Sequence, residues 1–385
     1  MTGPLDGLLV ADFSRVLAGP YCTMMLADMG ADVVKVEGPD GDDTRGWKPP
    51  VTADDVSTYW LAVNRNKRSV AFDLKDAADV ALARELARRA DVVVENFKPG
   101  GLARFGLGYA DVAAANPRVV YASISGFGPG QGAGLPGYDL IVQAISGLMS
   151  LTGSPDGGPF RAGISVFDVM TGMHATIGVL AALRHREVTG DGQHVEVNLM
   201  TSALSGLVNQ SSAVVNSDTV PYRMGNAHPS VFPYEPLPTA DGDLIVAVGN
   251  DRQFRVLCDV LGVPALAEDE RFARNADRTR NREELRPLLL ERLATRGKQD
   301  WFEAIMGAGV PCGPINTVDD GVAFAEGLGL EPVVTLGPDD APRRSIRNPI
   351  TFSATPARYT LPPPELDEHG DDIKRWLAAP QEETR

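Results

Sequence analysis

Five short β-branched runs alternate with stretches of helical patterning across the first 125 residues, and this alternation restricts the fold more than any other feature. Residues 8–12, 32–37, 69–74, 91–95 and 118–124 read as strands. Residues 20–29 read as a helix of small and apolar side chains that Gly30 stops, as a glycine past a helix end does. Residues 77–90 place Val80, Leu82 and Leu86 among alanines and arginines, the pattern of an amphipathic helix. Strands separated by helices predict a mainly parallel sheet covered on both faces, a Rossmann-like α/β architecture.

The chain has 385 residues, enough for two domains at ~100–200 residues each. Residues 1–200 are expected to form the large Rossmann-like domain, with 201–224 as a linker. After about residue 220 the pattern changes. Residues 232–237 and 243–248 alternate around an Ala240-Asp-Gly-Asp turn, a hairpin signal, and charged helical stretches follow. Residues 225–325 are therefore expected to form a smaller α+β domain, with 330–385 returning to the first.

Lys and Arg total 36 against 51 Asp and Glu, a formal charge of −15. No general basic field is available, which argues against nucleic-acid and anionic-membrane partners. The longest clean apolar stretch, 177–183, is far short of the ~18–20 residues of a membrane span. No basic segment leads into an apolar one at the N-terminus, so no secretory signal is expected. Three cysteines (22, 258, 312) without a CxxC pair fit free thiols in a reducing cytoplasm. The five histidines show no metal-ligand spacing, and no metal is expected.

A dinucleotide site would need GxGxxG between the first strand and its helix. That turn reads Phe13-Ser-Arg-Val-Leu-Ala-Gly19-Pro20, with one glycine. The loop 126–137 is glycine-rich, but Pro129 and the further glycines make it a long surface loop, not a tight turn into a helix. NAD binding is disfavoured. Cations cluster at Asn64-Arg-Asn-Lys-Arg68, Lys75, Lys98 and Arg104, near predicted strand ends. They fit either a phosphate-bearing ligand or a salt-bridged face. Asp168 stands among Phe167, Val169 and Met170. A helix N-cap, a buried carboxylate held by backbone amides and a covalent nucleophile all remain open for it.

Several segments taken in order resemble the class III CoA-transferases, the family that also holds the α-methylacyl-CoA racemases. They are Ala18-Gly-Pro-Tyr-Cys-Thr-Met-Met-Leu-Ala-Asp-Met-Gly-Ala-Asp-Val-Val-Lys-Val-Glu37, Asn64-Arg-Asn-Lys-Arg68 with Asp73-Leu-Lys75, and Asn96-Phe-Lys-Pro-Gly100. Gly137-Tyr-Asp139, Asp168-Val-Met-Thr-Gly172, Thr189-Gly-Asp-Gly-Gln193 and Val310-Pro-Cys-Gly-Pro-Ile-Asn-Thr317 complete the set.

The resemblance implies Asp168 as the catalytic residue. It implies coenzyme A along Val16, Leu17, Ala18, Phe72 to Lys75, Asn96, Phe97, Lys98 and Arg104, with Tyr138 and Asp139 positioning the acyl group. It further implies an interlocked homodimer, with coenzyme A as a cosubstrate and not a tightly bound cofactor. An aspartate of ordinary pKa near 3.9 would be ionised at pH 7 and able to attack a thioester carbonyl. The free acid, CoA and new acyl-CoA would then exchange through an aspartyl anhydride and an aspartyl-CoA thioester.

In the racemases a histidine precedes the aspartate where this chain has Tyr138, a poor base for an α-proton. Transferase is the expected activity, with racemase or a non-catalytic acyl-CoA-binding relative as alternatives. Leu17, Gly38 and the segment 248–251 depart from the formyl-CoA transferases. The segment Gly249-Asn-Asp-Arg-Gln-Phe254 looks more like transferases of dicarboxylates such as succinate, for whose distal carboxylate Arg161, Arg223 and Arg252 are candidates.

Overall fold

The computed structural model describes residues 3–338 and 342–380. Residues 1–2, 339–341 and 381–385, at the edges of the expected first domain and returning tail, lie outside the described residues. The chain divides into two compact units.

The first unit comprises residues up to 148, 162–218 and those from 331 onward. Its centre is a six-stranded sheet of β1 (Leu9–Asp12), β2 (Asp32–Glu37), β3 (Lys67–Ala71), β4 (Val92–Glu95), β5 (Val120–Ser125) and β6 (Gln193–Asn198), in the order β3-β2-β1-β4-β5-β6. Every pairing in it is parallel. The valine runs of β2 and β4 are buried on both faces, as strands under helical layers must be. β6 went unread in the sequence. Its segment, Gln-His-Val-Glu-Val-Asn, alternates like a half-covered strand and sits at the sheet edge.

Around the sheet in chain order run α1 (Ala18–Asp28), α2 (Thr58–Val63), α3 (Ala77–Arg89), α4 (Tyr109–Ala115), α5 (Asp139–Ile145), α6 (Leu148–Leu151), α7 (Val166–Thr189), α8 (Leu199–Gly206) and α9 (Asn209–Asn216). The last two occupy much of the stretch read as a linker. One hydrophobic cluster joins α1, α7, β1, β4 and β5 on one face, and a second joins α3, β2, β3 and the tail residues Ile373 and Leu377 on the other.

α7 has the length and composition to cross a membrane, a property that the short run 177–183 did not reveal. Among its residues Phe167, Ala175, Val179, Ala182 and Leu183 are instead packed in the core. Gly172 allows that packing, because a Cβ there would fall 2.6 Å from the Ala18 carbonyl oxygen. The tail joins the sheet's edge through hydrogen bonds such as Asn66 N–H to Leu361 O and His369 N–H to Ser69 O.

The second unit comprises residues 149–161 and 219–330, where the sequence suggested 225–325. It holds a three-stranded antiparallel sheet of β7 (Tyr234–Pro238), β8 (Asp243–Ala247) and β9 (Cys312–Pro314). Helices cover it around a core that includes Phe254, Leu257, Leu289 and Trp301. Arg278 is fully buried there, satisfied by the carbonyls of Phe232, Phe272 and Ala273 and by Asp251.

Candidate active site

Strand order reverses between β1 and β4, and open α/β sheets bind ligands at the carboxyl ends of the strands at such a point. A cavity of about 580 Å3 opens there, built entirely from the first unit. The turn after β1 supplies Val16, Leu17 and Ala18, and the turn after β4 supplies Asn96, Phe97, Lys98 and Arg104. The loop after β5 supplies Tyr138, and α7 supplies Asp168.

Val16 has φ +68, a left-handed conformation that a β-branched side chain strongly disfavours. Buried charges hold it. Asp42 accepts the Val16 N–H at 3.1 Å, and the buried Lys35 ammonium donates to Asp42 at 2.9 Å and to the Ser14 carbonyl at 2.5 Å. Asn96 joins the two turns, accepting the Arg15 N–H at 2.9 Å and donating to the Arg15 carbonyl at 2.6 Å. The two turns thus form one wall.

The loop 126–137 is pinched at its neck: a Cβ on Gly137 would lie 2.3 Å from the Gly126 Cα. Only glycine fits there. Gly137→Ala must spread the neck and displace the adjacent Tyr138, so kcat/KM is expected to fall by about 10²-fold with the far-UV circular dichroism unchanged.

Asp168 sits in the first turn of α7, which has no side-chain cap of its own. Asp139 on α5 caps the helix instead, its Oδ1 accepting the N–H of Phe167 at 2.8 Å and of Asp168 at 3.2 Å. Its Oδ2 accepts Gln143 Nε2 at 2.5 Å, and Gln143 also bonds the Ile164 carbonyl and the Ala162 N–H. What Asp139 visibly positions is therefore the start of α7 and, with it, Asp168. Burial first, and the Asp139 charge second, push the Asp168 carboxyl up to about 7. The expectation of an ordinary carboxylate is corrected: a helix N-terminus favours the anion, but here desolvation and a like charge outweigh it. Tyr138 is 58% exposed and faces the cavity.

All three cations of the 64–68 cluster are spent in ion pairs with carboxylates of the same unit. Arg65 pairs with Asp28 at 2.6 Å, Lys67 with Asp12 at 3.1 Å and Arg68 with Asp32 at 2.5 Å. They are a structural network, not a phosphate site, because buried or edge carboxylates of β1, α1 and β2 claim them. Lys98 and Arg104 enter no ion pair among the described residues and line the cavity.

Phe72 and Lys75 lie off its lining. The Phe72 side chain is 1% exposed, packed with Val70, Ala83 and Leu86, so only its backbone can meet a ligand, while Lys75 is exposed at the rim of β3. Arg161, Arg223 and Arg252 belong to the second unit. All three cysteines are buried; burial pushes the thiols of Cys22 and Cys258 up to about 12, leaving them poor nucleophiles. Asp42, Lys35 and Gln143 were not read from the sequence, and only the four-residue spacing of Asp139 and Gln143 on a helix signalled any of these contacts.

Residues 5–370 match the profile of CoA-transferase family III. The chain is 46% identical to a succinate–glutarate CoA-transferase of Agrobacterium fabrum, over 95% of this chain and 94% of that one. It is 40% identical to a succinyl-CoA:glutarate CoA-transferase of Mus musculus, covering 95% of this chain and 84% of the other. A solved CAIB/BAIF family protein from Brucella suis superposes with a TM-score of 0.86 at 42% identity, covering 98% and 100% of the two chains.

Proposed function

The chain belongs to CoA-transferase family III, and from that premise we propose that it moves coenzyme A from a dicarboxylyl-CoA such as succinyl-CoA to a second free dicarboxylic acid, with Asp168 as nucleophile. The observation that carries this reading is the placement of Asp168, raised to about 7, at the wall of a switch-point cavity that is also lined by Lys98 and Arg104, cations in no ion pair among the described residues. A more basic carboxylate is a stronger nucleophile once ionised.

The Asp168 carboxylate attacks the thioester carbonyl, the C–S bond breaks, and CoA leaves as thiolate with an acyl-aspartyl anhydride behind it. Thiolate attack on the aspartyl carbonyl releases the first acid and leaves an aspartyl-CoA thioester. The acceptor carboxylate then attacks that thioester, and the returning thiolate takes the new acyl group from the resulting anhydride. The thioester free energy is kept in covalent form throughout. Water must be kept from both intermediates, and the loop 126–137 over the cavity is suited to that. Lys98 and Arg104 would meet the phosphates of CoA, and Tyr138 the acyl chain.

A homodimer is part of the proposal. Ile177 and Val188 on α7, Leu140 and Ile145 on α5, and Val215 on α9 expose apolar side chains that a second copy would cover. Sedimentation velocity is expected to give twice the chain mass.

Intact-protein mass spectrometry after brief exposure to succinyl-CoA, glutaryl-CoA and other acyl-CoAs tests the chemistry. A hydroxylamine-labile CoA or acyl adduct is expected on the wild type and absent from Asp168→Ala. An adduct that survives in Asp168→Ala would move the nucleophile elsewhere. No adduct, with α-proton exchange in deuterated water, would make the enzyme a racemase.

A further inference from the structure

Behind the turn 96–98 lies a second, smaller cavity of about 110 Å3, which shares Phe97, Pro99, Ile124, Ser125 and Gly128 with the first. A chain of polar side chains crosses it over three neighbouring strands. Glu95 closes β4 at 8% exposure, and none of the ion pairs among the described residues includes it. Its Oε2 accepts the Phe97 N–H at 2.8 Å, and the Ser123 hydroxyl of β5 faces its carboxylate. Ser123 Oγ in turn stands 2.9 Å from His194 Nε2 on β6, whose ring stacks on Tyr109 with centroids 4.6 Å apart.

A carboxylate buried without a cation is costly, and its hydrogen bonds must compensate. Here they go to the turn that lines the first cavity. The direction of each bond is also constrained. An ionised Glu95 only accepts, so the Ser123 hydroxyl facing it can only donate, and the Ser123 oxygen would then receive its hydrogen bond from His194.

We propose that Glu95 is a positioning residue for acyl-CoA binding, setting the turn 96–98 through the Phe97 amide, and that Ser123 and the Nε2–H tautomer of His194 orient its carboxylate. This rests on the reading of the first cavity as the acyl-CoA site. Glu95 touches no reacting atom; it acts through Asn96, Phe97 and Lys98. Burial raises the Glu95 carboxyl and lowers the His194 imidazole, and working at pH 8 favours the anionic Glu95 and neutral His194 that the chain requires. The other titratable groups around it are Tyr121 on β5, Tyr109 and Asp111 on α4, and Glu196 beside His194.

The test combines kinetics with histidine NMR on the full-length enzyme at pH 8. Glu95→Ala is expected to raise KM for the acyl-CoA about tenfold, the cost of one lost charge-assisted hydrogen bond, with kcat within about twofold of wild type. Glu95→Gln restores KM, because its amide oxygen still accepts from Phe97. Its NH2 now donates to Ser123, whose hydroxyl must turn toward His194, so the 15N shifts of His194 are expected to change from the Nε2–H to the Nδ1–H tautomer. Ser123→Ala raises KM about threefold and carries the test if Glu95→Ala does not fold.

An unchanged KM in Glu95→Ala and Ser123→Ala, a fall in kcat alone, or a His194 tautomer indifferent to Glu95→Gln would overturn the proposal. Calorimetric titration with CoA itself separates the two readings. Wild-type protein that does not bind CoA removes the assignment of the cavity as well, whereas wild-type binding that Glu95→Ala leaves intact removes only the role of Glu95.

Discussion

Asp168→Asn is expected to abolish CoA transfer by a factor of at least about 10⁴ while making the folded protein more stable at pH 8. The loss follows from chemistry, since a carboxamide does not form the anhydride. The gain follows from linkage. The folded enzyme holds the Asp168 proton up to about pH 7, against the ordinary value of 3.8, so the native state binds more protons than the unfolded chain between those limits. Unfolding free energy then falls as pH rises from about 4 to 7, and above 7 the ionised carboxylate costs the fold up to about 4 kcal/mol. Asn carries no such charge. Thermal midpoints of the two proteins should coincide near pH 4 and diverge in favour of Asp168→Asn by pH 8.

The same shift predicts that the wild-type rate at low acyl-CoA rises with pH to a midpoint near 7. Asp139→Asn, which removes the second cause of the shift, should move that midpoint to lower pH. A pH profile flat between 5.5 and 8, with the nucleophile confirmed, would show that the carboxyl of the free enzyme is not raised to near 7, because the rate at low substrate reports the free enzyme.

How much of this was legible in the sequence follows from the range of the interactions involved. The four strands of the sheet interior, β1, β2, β4 and β5, were readable because burial on both faces makes them largely apolar runs, and the edge strand β3 was caught by the Val-Ala-Phe stretch at its end. β6 was not, because an edge strand with Gln193, His194 and Glu196 carries no such run. Asp168 drew attention as a carboxylate among apolar residues, yet nothing near it in sequence discloses Asp139, 29 residues earlier, as the cap of its helix and the cause of part of its shift.

The cations of 64–68 show the opposite failure. Their charge was visible, but their partners Asp12, Asp28 and Asp32 lie 36 to 55 residues away, so a network of ion pairs within the fold was indistinguishable from a ligand site. Val16 is the clearest limit. No residue preference would assign a left-handed φ to a valine; only Asp42 and Lys35, brought together by β2 and the turn after it, impose it.

That imposed turn yields the largest stability effect. Asp42→Ala leaves the fully buried Lys35 ammonium with one hydrogen-bond partner, the Ser14 carbonyl, and is expected to cost about 3–5 kcal/mol. Burial alone would raise the Asp42 carboxyl, but the Lys35 charge and the Thr44 hydrogen bonds outweigh it and hold the group down at about 2. Its folded value thus lies below its unfolded one. The stability it contributes, about 2 kcal/mol from the shift, is present above pH 4 and lost as pH falls toward 2.

A second variant separates stability from function. Lys35→Met combined with Asp42→Leu removes both charges together, and apolar replacement of a buried pair is often neutral. Chemical denaturation should show most of the lost stability recovered. Binding should not recover, because the Val16 N–H still lacks its acceptor and the left-handed turn, which costs about 1–3 kcal/mol, is no longer held. The double variant is therefore expected to fold and to keep a KM for acyl-CoA at least about tenfold above wild type. If KM returned to the wild-type value with stability, the ion pair would be serving the fold alone, and the Val16 turn would be set by its packing against α2 and α7.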